Sequence, residues 1–86
     1  MAYSKQKITR GEMPVERYQE DDAWISKMLG YLNDSDRAKV CKAYSNVFVD
    51  AKSLEPVSHK KTNAGRYAAN TRLRLFIDKR LAVFNK

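Results

Sequence analysis

Apolar residues recur at helical spacing through three stretches of this chain. In the first, Tyr18, Ile25, Met28, Leu29 and Leu32 step by seven, three, one and three, with Trp24 and Tyr31 beside them. That spacing predicts an amphipathic helix over 15–32. Pro14 suits its first turn, where a missing N–H costs nothing. Glu16, Glu20, Asp21 and Asp22 follow early, near the positive end of the helix dipole. Asn33 is placed to close the helix in the left-handed conformation, and Gly30 weakens its last turn.

The second stretch has the most regular stripe: Val40, Cys41, Tyr44, Val47, Phe48 and Ala51. It predicts a helix over 35–52 with one buried face, capped by Asp34 or Ser35. Arg37, Lys39, Lys42, Asn46 and Asp50 fall on its other faces. Lys52–Glu55 reads as a short turn, with Ser53 capping a third helix over 56–83 and Pro56 within its first turn. This last helix is rich in alanine, leucine, arginine and lysine, and is expected to span about 28 residues or roughly 42 Å. It carries two apolar stripes. Val57, Ala64, Ala68, Thr71, Leu75 and Ala82 form a small-residue one; Ala69, Leu73, Phe76, Ile77, Leu81 and Phe84 form a bulky one. A helix apolar on two sides is expected to be covered on two sides.

The pattern therefore predicts an all-α fold: a three-helix bundle with a long basic C-terminal helix. Its core is expected to hold Trp24, Ile25, Met28, Leu29, Val40, Tyr44, Val47, Phe48, Ala68, Leu73, Phe76 and Ile77. Residues 1–13 lack a sustained period and read as a flexible arm before a single domain over 14–86. Leu81 and Phe84 lie beyond the reach of two shorter helices, which predicts a homodimer seam at the C-terminus.

Composition changes the picture in two respects. The chain has 86 residues, so one small core is expected, with little stability to spare. Cys41 is the one cysteine, so no internal disulfide can form and a reducing cytoplasm is the expected setting. No apolar run of about 18 residues is present to cross a bilayer, and no signal peptide is recognisable.

Charge is the second respect. The net charge is +7, all of it carried after residue 51. From Lys52 onward nine lysines and arginines face only Glu55 and Asp78, while residues 1–51 carry eight charges of each sign. Such an excess favours a polyanionic partner: DNA, RNA, an anionic membrane surface or an acidic protein.

Motifs of catalysis are missing. No Walker loop, dinucleotide-binding glycine pattern or nucleophile elbow occurs, so no enzyme, cofactor or metal is expected. His59 has no second ligand at metal spacing and reads as a solvent-facing residue beside Lys60 and Lys61. Cys41 lies on the apolar stripe without an acid–base partner, as a packed core thiol does. Glu20, Asp21 and Asp22 point in different directions on a helix and cannot converge on one ion; stabilisation by the helix dipole, or pairing with the basic third helix, suits them better.

The basic helix is left as the candidate site, with Lys60, Lys61, Arg66, Arg72, Arg74, Lys79 and Arg80 as its nucleic-acid-binding residues. Lys61, Arg72, Lys79 and Lys86 fall within about 40° on a helical wheel, and Asn63, Asn70 and Thr71 add groups that bond phosphates or base edges. A helix-turn-helix fits poorly, because the junction Ser53-Leu54-Glu55-Pro56 leads into a very long helix. A basic zipper fails because leucines do not recur every seven residues. The stretch from His59 to Arg74, HKKTNAGRYAANTRLR, resembles segments of small proteins of enteric bacteriophages and prophages. The resemblance covers about a fifth of the chain; it implies a phage origin and supplies no site residue.

Two functions follow as expectations: a small accessory protein that binds nucleic acid through the third helix, or a helical adaptor for a protein partner. Burial of Leu73, Ile77, Leu81 and Phe84 within one molecule favours the first. An exposed apolar patch favours the second.

Overall fold

The computed structural model describes residues 12–84. Among them lie three α-helices and no strand: α1 (Asp22–Leu29), α2 (Asp34–Leu54) and α3 (Lys61–Phe84). Single 3-10 turns, Gln19–Asp21 and Ser58–Lys60, precede α1 and α3. The class is all-α, as the pattern predicts.

Local chemistry sets the helix ends. Asn33, expected in the left-handed conformation, is extended at φ −72° and ψ 169°. Its Oδ1 accepts from the Asp36 N–H at 2.8 Å, so Asn33 itself is the cap of α2 and Asp34 the first helical residue. At the other end Glu55 turns extended because Pro56 follows it. Pro56 thus lies outside α3, five residues before its start, and Ser53 bonds the Asp50 carbonyl instead of capping α3.

α2 and α3 form an antiparallel hairpin. Phe48 and Lys52 meet Gly65, Tyr44 meets Asn70, and Asp36 meets Arg80. A Cβ on Gly65 would stand 3.0 Å from the Phe48 carbonyl oxygen and 3.1 Å from its ring. Glycine here is a contact residue that lets two backbones approach, well inside a helix the sequence would otherwise extend smoothly.

The core runs along one face of this hairpin: Ile25, Met28 and Leu29 from α1; Cys41, Tyr44 and Phe48 from α2; Ala69, Leu73 and Ile77 from α3. Seven of these stand in the expected core; Cys41 and Ala69 are additions from the apolar stripes already recognised. Trp24, Val40 and Val47 are only partly buried against it, Ala68 is half-buried, and Phe76 is 38% exposed.

The first helix is much shorter than expected. Residues 12–18 are not helical; they run as a strap along α2 before the chain turns into α1. Pro14, expected in a helical first turn, is fully buried instead. Arg17 folds back to hold this shape, donating to the Pro14 carbonyl at 2.6 Å and to Asp22 at 2.5 and 3.0 Å. Arg37, expected on a solvent face of α2, is buried and donates to the Glu12 carbonyl at 2.7 Å. Glu12 and Met13, the described end of the expected arm, therefore lie against α2; residues 1–11 fall outside the described residues.

A short α1 changes the architecture. The strap and α1 cover one face of the α2–α3 hairpin, and among the described residues no third long helix covers the other. Of the bulky stripe of α3, Ala69, Leu73 and Ile77 are buried and Leu81 partly so, but Phe76 is exposed, and the side chain of Phe84 lies outside the described residues. Leu75 and Ala82 of the small-residue stripe are exposed, and Ala64, Ala68 and Thr71 are half-buried. Leu81, assigned to a homodimer seam on the premise that nothing reaches it, packs against the core of its own chain.

Candidate functional site

The acids of the N-terminal half reach α3, and this decides which cations are available. Asp21 accepts from Arg66 Nε and Nη2, both at 2.9 Å, and from Asn70 Nδ2 at 3.1 Å. The Arg66 guanidinium also lies 4.2 Å over the Tyr18 ring. Asn70 in turn accepts from the Tyr44 hydroxyl, so a chain of polar contacts joins the 3-10 turn, α3 and α2. Hydrogen bonding to Arg66 holds the Asp21 carboxyl below its ordinary value, against the opposing effect of burial. Burial pushes the Tyr44 hydroxyl up to about 12 and the Cys41 thiol up to about 11. Cys41 is therefore protonated at neutral pH, and its thiol donates to the Glu12 carbonyl at 3.7 Å.

Three of the seven expected binding residues are engaged in holding the fold. Arg66 is bound as above. Arg80 pairs with Asp36 and sits 5.7 Å over the Phe76 ring. Lys61 directs its ammonium at the last carbonyls of α2, bonding Lys52 O at 3.2 Å and Glu55 O. Lys60, Arg72, Arg74 and Lys79 are exposed and form no ion pair among the described residues. They do not share a face: Arg72 and Arg74 point about 160° apart around α3.

Two surfaces result. One is the outer face of α3, where Asn63, Tyr67, Asn70 and Arg74 lie within about 60° of one another. Tyr67 is 76% exposed, and Asn63, Arg66, Asn70 and Thr71 line a shallow depression beside it. The pattern assigned Tyr67 no role. Its signal was its position, about 160° from Ala69 and about 120° from Leu73 on the wheel, where a large aromatic residue has no core to enter.

The other surface is the face of the hairpin opposite the strap. A groove of about 450 Å³ runs between α2 and α3, with Val40, Ala43, Val47, Leu73 and Phe76 on its floor and sides. Lys39, Arg72 and the Asp36–Arg80 pair stand at its rim. Among the described residues no helix is long and apolar enough to cross a membrane, and no cluster of acids, histidines or cysteine is arranged to hold a metal ion. No family model, curated protein or solved structure matches this chain, so its own geometry carries the functional reading.

Proposed function

We propose that this protein is a small non-enzymatic accessory protein that binds nucleic acid through α3, with single-stranded DNA or RNA lying on the outer face. The observation that carries this is Tyr67, a 76%-exposed aromatic ring set among amides and cations on a helix that turns Ala69, Leu73 and Ile77 inward. An aromatic side chain so placed offers a stacking platform to any base. Arg74 and Lys60 supply charge for phosphates, and Asn63 and Thr71 supply polar groups for the backbone or base edges, while Asn70 is held by Tyr44 and Asp21. Arg66, held by Asp21 and Tyr18, borders this surface as a fixed element. The cytoplasmic setting and phage origin belong to the same proposal, the first on cysteine usage and the second on the segment from His59 to Arg74.

Fluorescence anisotropy with a labelled oligonucleotide of mixed sequence tests it. If about three phosphates are neutralised, log K falls with log salt at a slope of about −2 on a single strand. Tyr67→Ala is expected to weaken binding about five- to a hundredfold, while Tyr67→Phe keeps it. Arg74→Glu lowers both the affinity and the salt slope. An oligonucleotide bound equally by the parent and Tyr67→Ala, or not bound at about 50 mM salt, leaves the reading without support.

A further inference from the structure

The groove between α2 and α3 lies on a different side of α3 from Tyr67 and calls for a different occupant. We infer that it is a docking site for an acidic amphipathic helix of a partner protein.

Shape is the first reason. The lining residues extend from Asp36 to Val47 on α2 and from Ala69 to Arg80 on α3. Each set spans about 16 Å at 1.5 Å per residue, so the groove is a trough along the helix axes. A trough with an apolar floor between two antiparallel helices takes the apolar face of a third helix, with anchors at i, i+3, i+4 and i+7. Its floor shows the matching incompleteness: Val40 and Val47 are only partly buried, and Phe76 is 38% exposed. On the strap side, the residues one position away are closed over: Cys41 and Phe48 are 3% exposed and Ile77 0%.

Charge selects the occupant. Arg80 is paired with Asp36, which leaves Lys39 and Arg72 as the uncompensated charges at the rim, one on each helix. A second copy of the chain seated face to face would set these like charges against one another. The chain's own first residues are no better suited, since Lys5, Lys7 and Arg10 are basic and no acid precedes Glu12. A helix with leucine-like anchors flanked by glutamates meets both the floor and the rim.

The test uses the full chain and two labelled synthetic peptides of about 18 residues, one with a leucine stripe flanked by glutamates and the other flanked by lysines. The acidic peptide is expected to bind saturably and at least about tenfold more tightly than the basic one. Val47→Glu is expected to weaken it about tenfold, and Arg72→Glu to reduce the preference for acid. Tyr67→Ala should leave peptide binding unchanged while weakening the oligonucleotide, which separates this site from the outer face of α3. Arg72→Glu is a surface change, so it keeps the test open should Val47→Glu fail to fold by circular dichroism. Equal binding of both peptides, or none at about 200 µM, overturns the inference. So does concentration-dependent dimerisation in light scattering that Arg72→Glu strengthens, which gives the groove to a second copy. An oligonucleotide that displaces the acidic peptide from the Tyr67→Ala variant gives it to nucleic acid and overturns the inference as well.

Discussion

The two faces of the α2–α3 hairpin have nearly the same apolar repeat and very different fates. On one side, Cys41, Phe48 and Ile77 are buried beneath the strap and α1, while Tyr44, Ala69 and Leu73 are buried between the two faces and also border the groove. On the other, Val40, Val47 and Phe76 stay partly open. Composition does not separate them; coverage does. The covered side is closed by polar contacts of long sequence separation: Arg37 with the Glu12 carbonyl, Glu16 N–H with the Ser45 hydroxyl at 3.1 Å, and Arg66 with Asp21. Among the described residues no buried side-chain nitrogen or oxygen lacks a partner, so the closure is complete in its polar groups as well. On the open side, among the described residues, the one ion pair is Asp36–Arg80, at one end of the groove. A buried face thus requires both an apolar stripe and polar residues placed to hold its cover.

Ile77 and Phe76, neighbours on α3, give the widest test of this contrast. Ile77 is fully buried, whereas Phe76 is the larger side chain and lies 38% exposed on the groove side. Ile77→Ala is expected to cost about 2–5 kcal/mol, through lost transfer energy and the cavity left behind. Phe76→Ala removes more atoms but leaves an open surface, so it is expected to cost under about 1.5 kcal/mol in the isolated chain. Urea denaturation of both variants measures the difference. Equal losses would mean that the groove side is as enclosed as the strap side.

Gly65 sharpens the same comparison at the line where the helices touch. Alanine there gains helix propensity of up to about 1 kcal/mol. Its Cβ, however, would meet the Phe48 carbonyl oxygen at 3.0 Å, and backbone does not yield as a side-chain tip does. Overpacking of that kind costs about 1–3 kcal/mol, so against the propensity gain Gly65→Ala is expected to lower stability by a net of about 0–2 kcal/mol. A gain would show that the hairpin separates easily on its open side.

Much of the fold was legible because α2 and α3 obey a helical period over many residues. The stripe through Val40, Cys41, Tyr44, Val47 and Phe48 identifies the right helix and nearly the right ends, 34–54 against an expected 35–52. The first helix was not legible, because the period cannot register that Arg17 turns back on Pro14 and Asp22. Nor does it register that Val15, exposed at 85%, has nothing to pack against. The candidate site was half legible. Counting cations along α3 finds Arg66, Arg72, Arg74, Lys79 and Arg80 alike. Only the folded chain brings Asp21 and Asp36 across 45 and 44 residues to claim Arg66 and Arg80. That an acid among Glu20, Asp21 and Asp22 pairs with the basic helix was legible; that Asp21 takes Arg66, and that Asp36 takes Arg80, was not.

Those two aspartates provide the finest comparison, since each joins a different face of the hairpin. Asp21 is 14% exposed and accepts from three donor nitrogens; Asp36 is 26% exposed and receives Arg80 alone through its side chain. Asp21→Asn keeps the shape but turns an amide toward donors already facing inward, and is expected to cost about 1–2 kcal/mol. Part of the ion-pair contribution is screened, because the Arg66 side chain is 36% exposed. Asp36→Asn is expected to cost only about 0–1 kcal/mol. The pH dependence separates them further. The Asp21 carboxyl titrates below its unfolded value, so it binds fewer protons folded than unfolded in that interval. Its contribution is present above the ordinary carboxylate range, near about 4, and is lost as pH falls from there through the depressed folded value. Thermal melts from neutral pH downward should therefore show the gap between the parent chain and Asp21→Asn narrowing as acid is added. A gap that stays constant to low pH would mean that the charge of Asp21 contributes nothing to holding the cover in place.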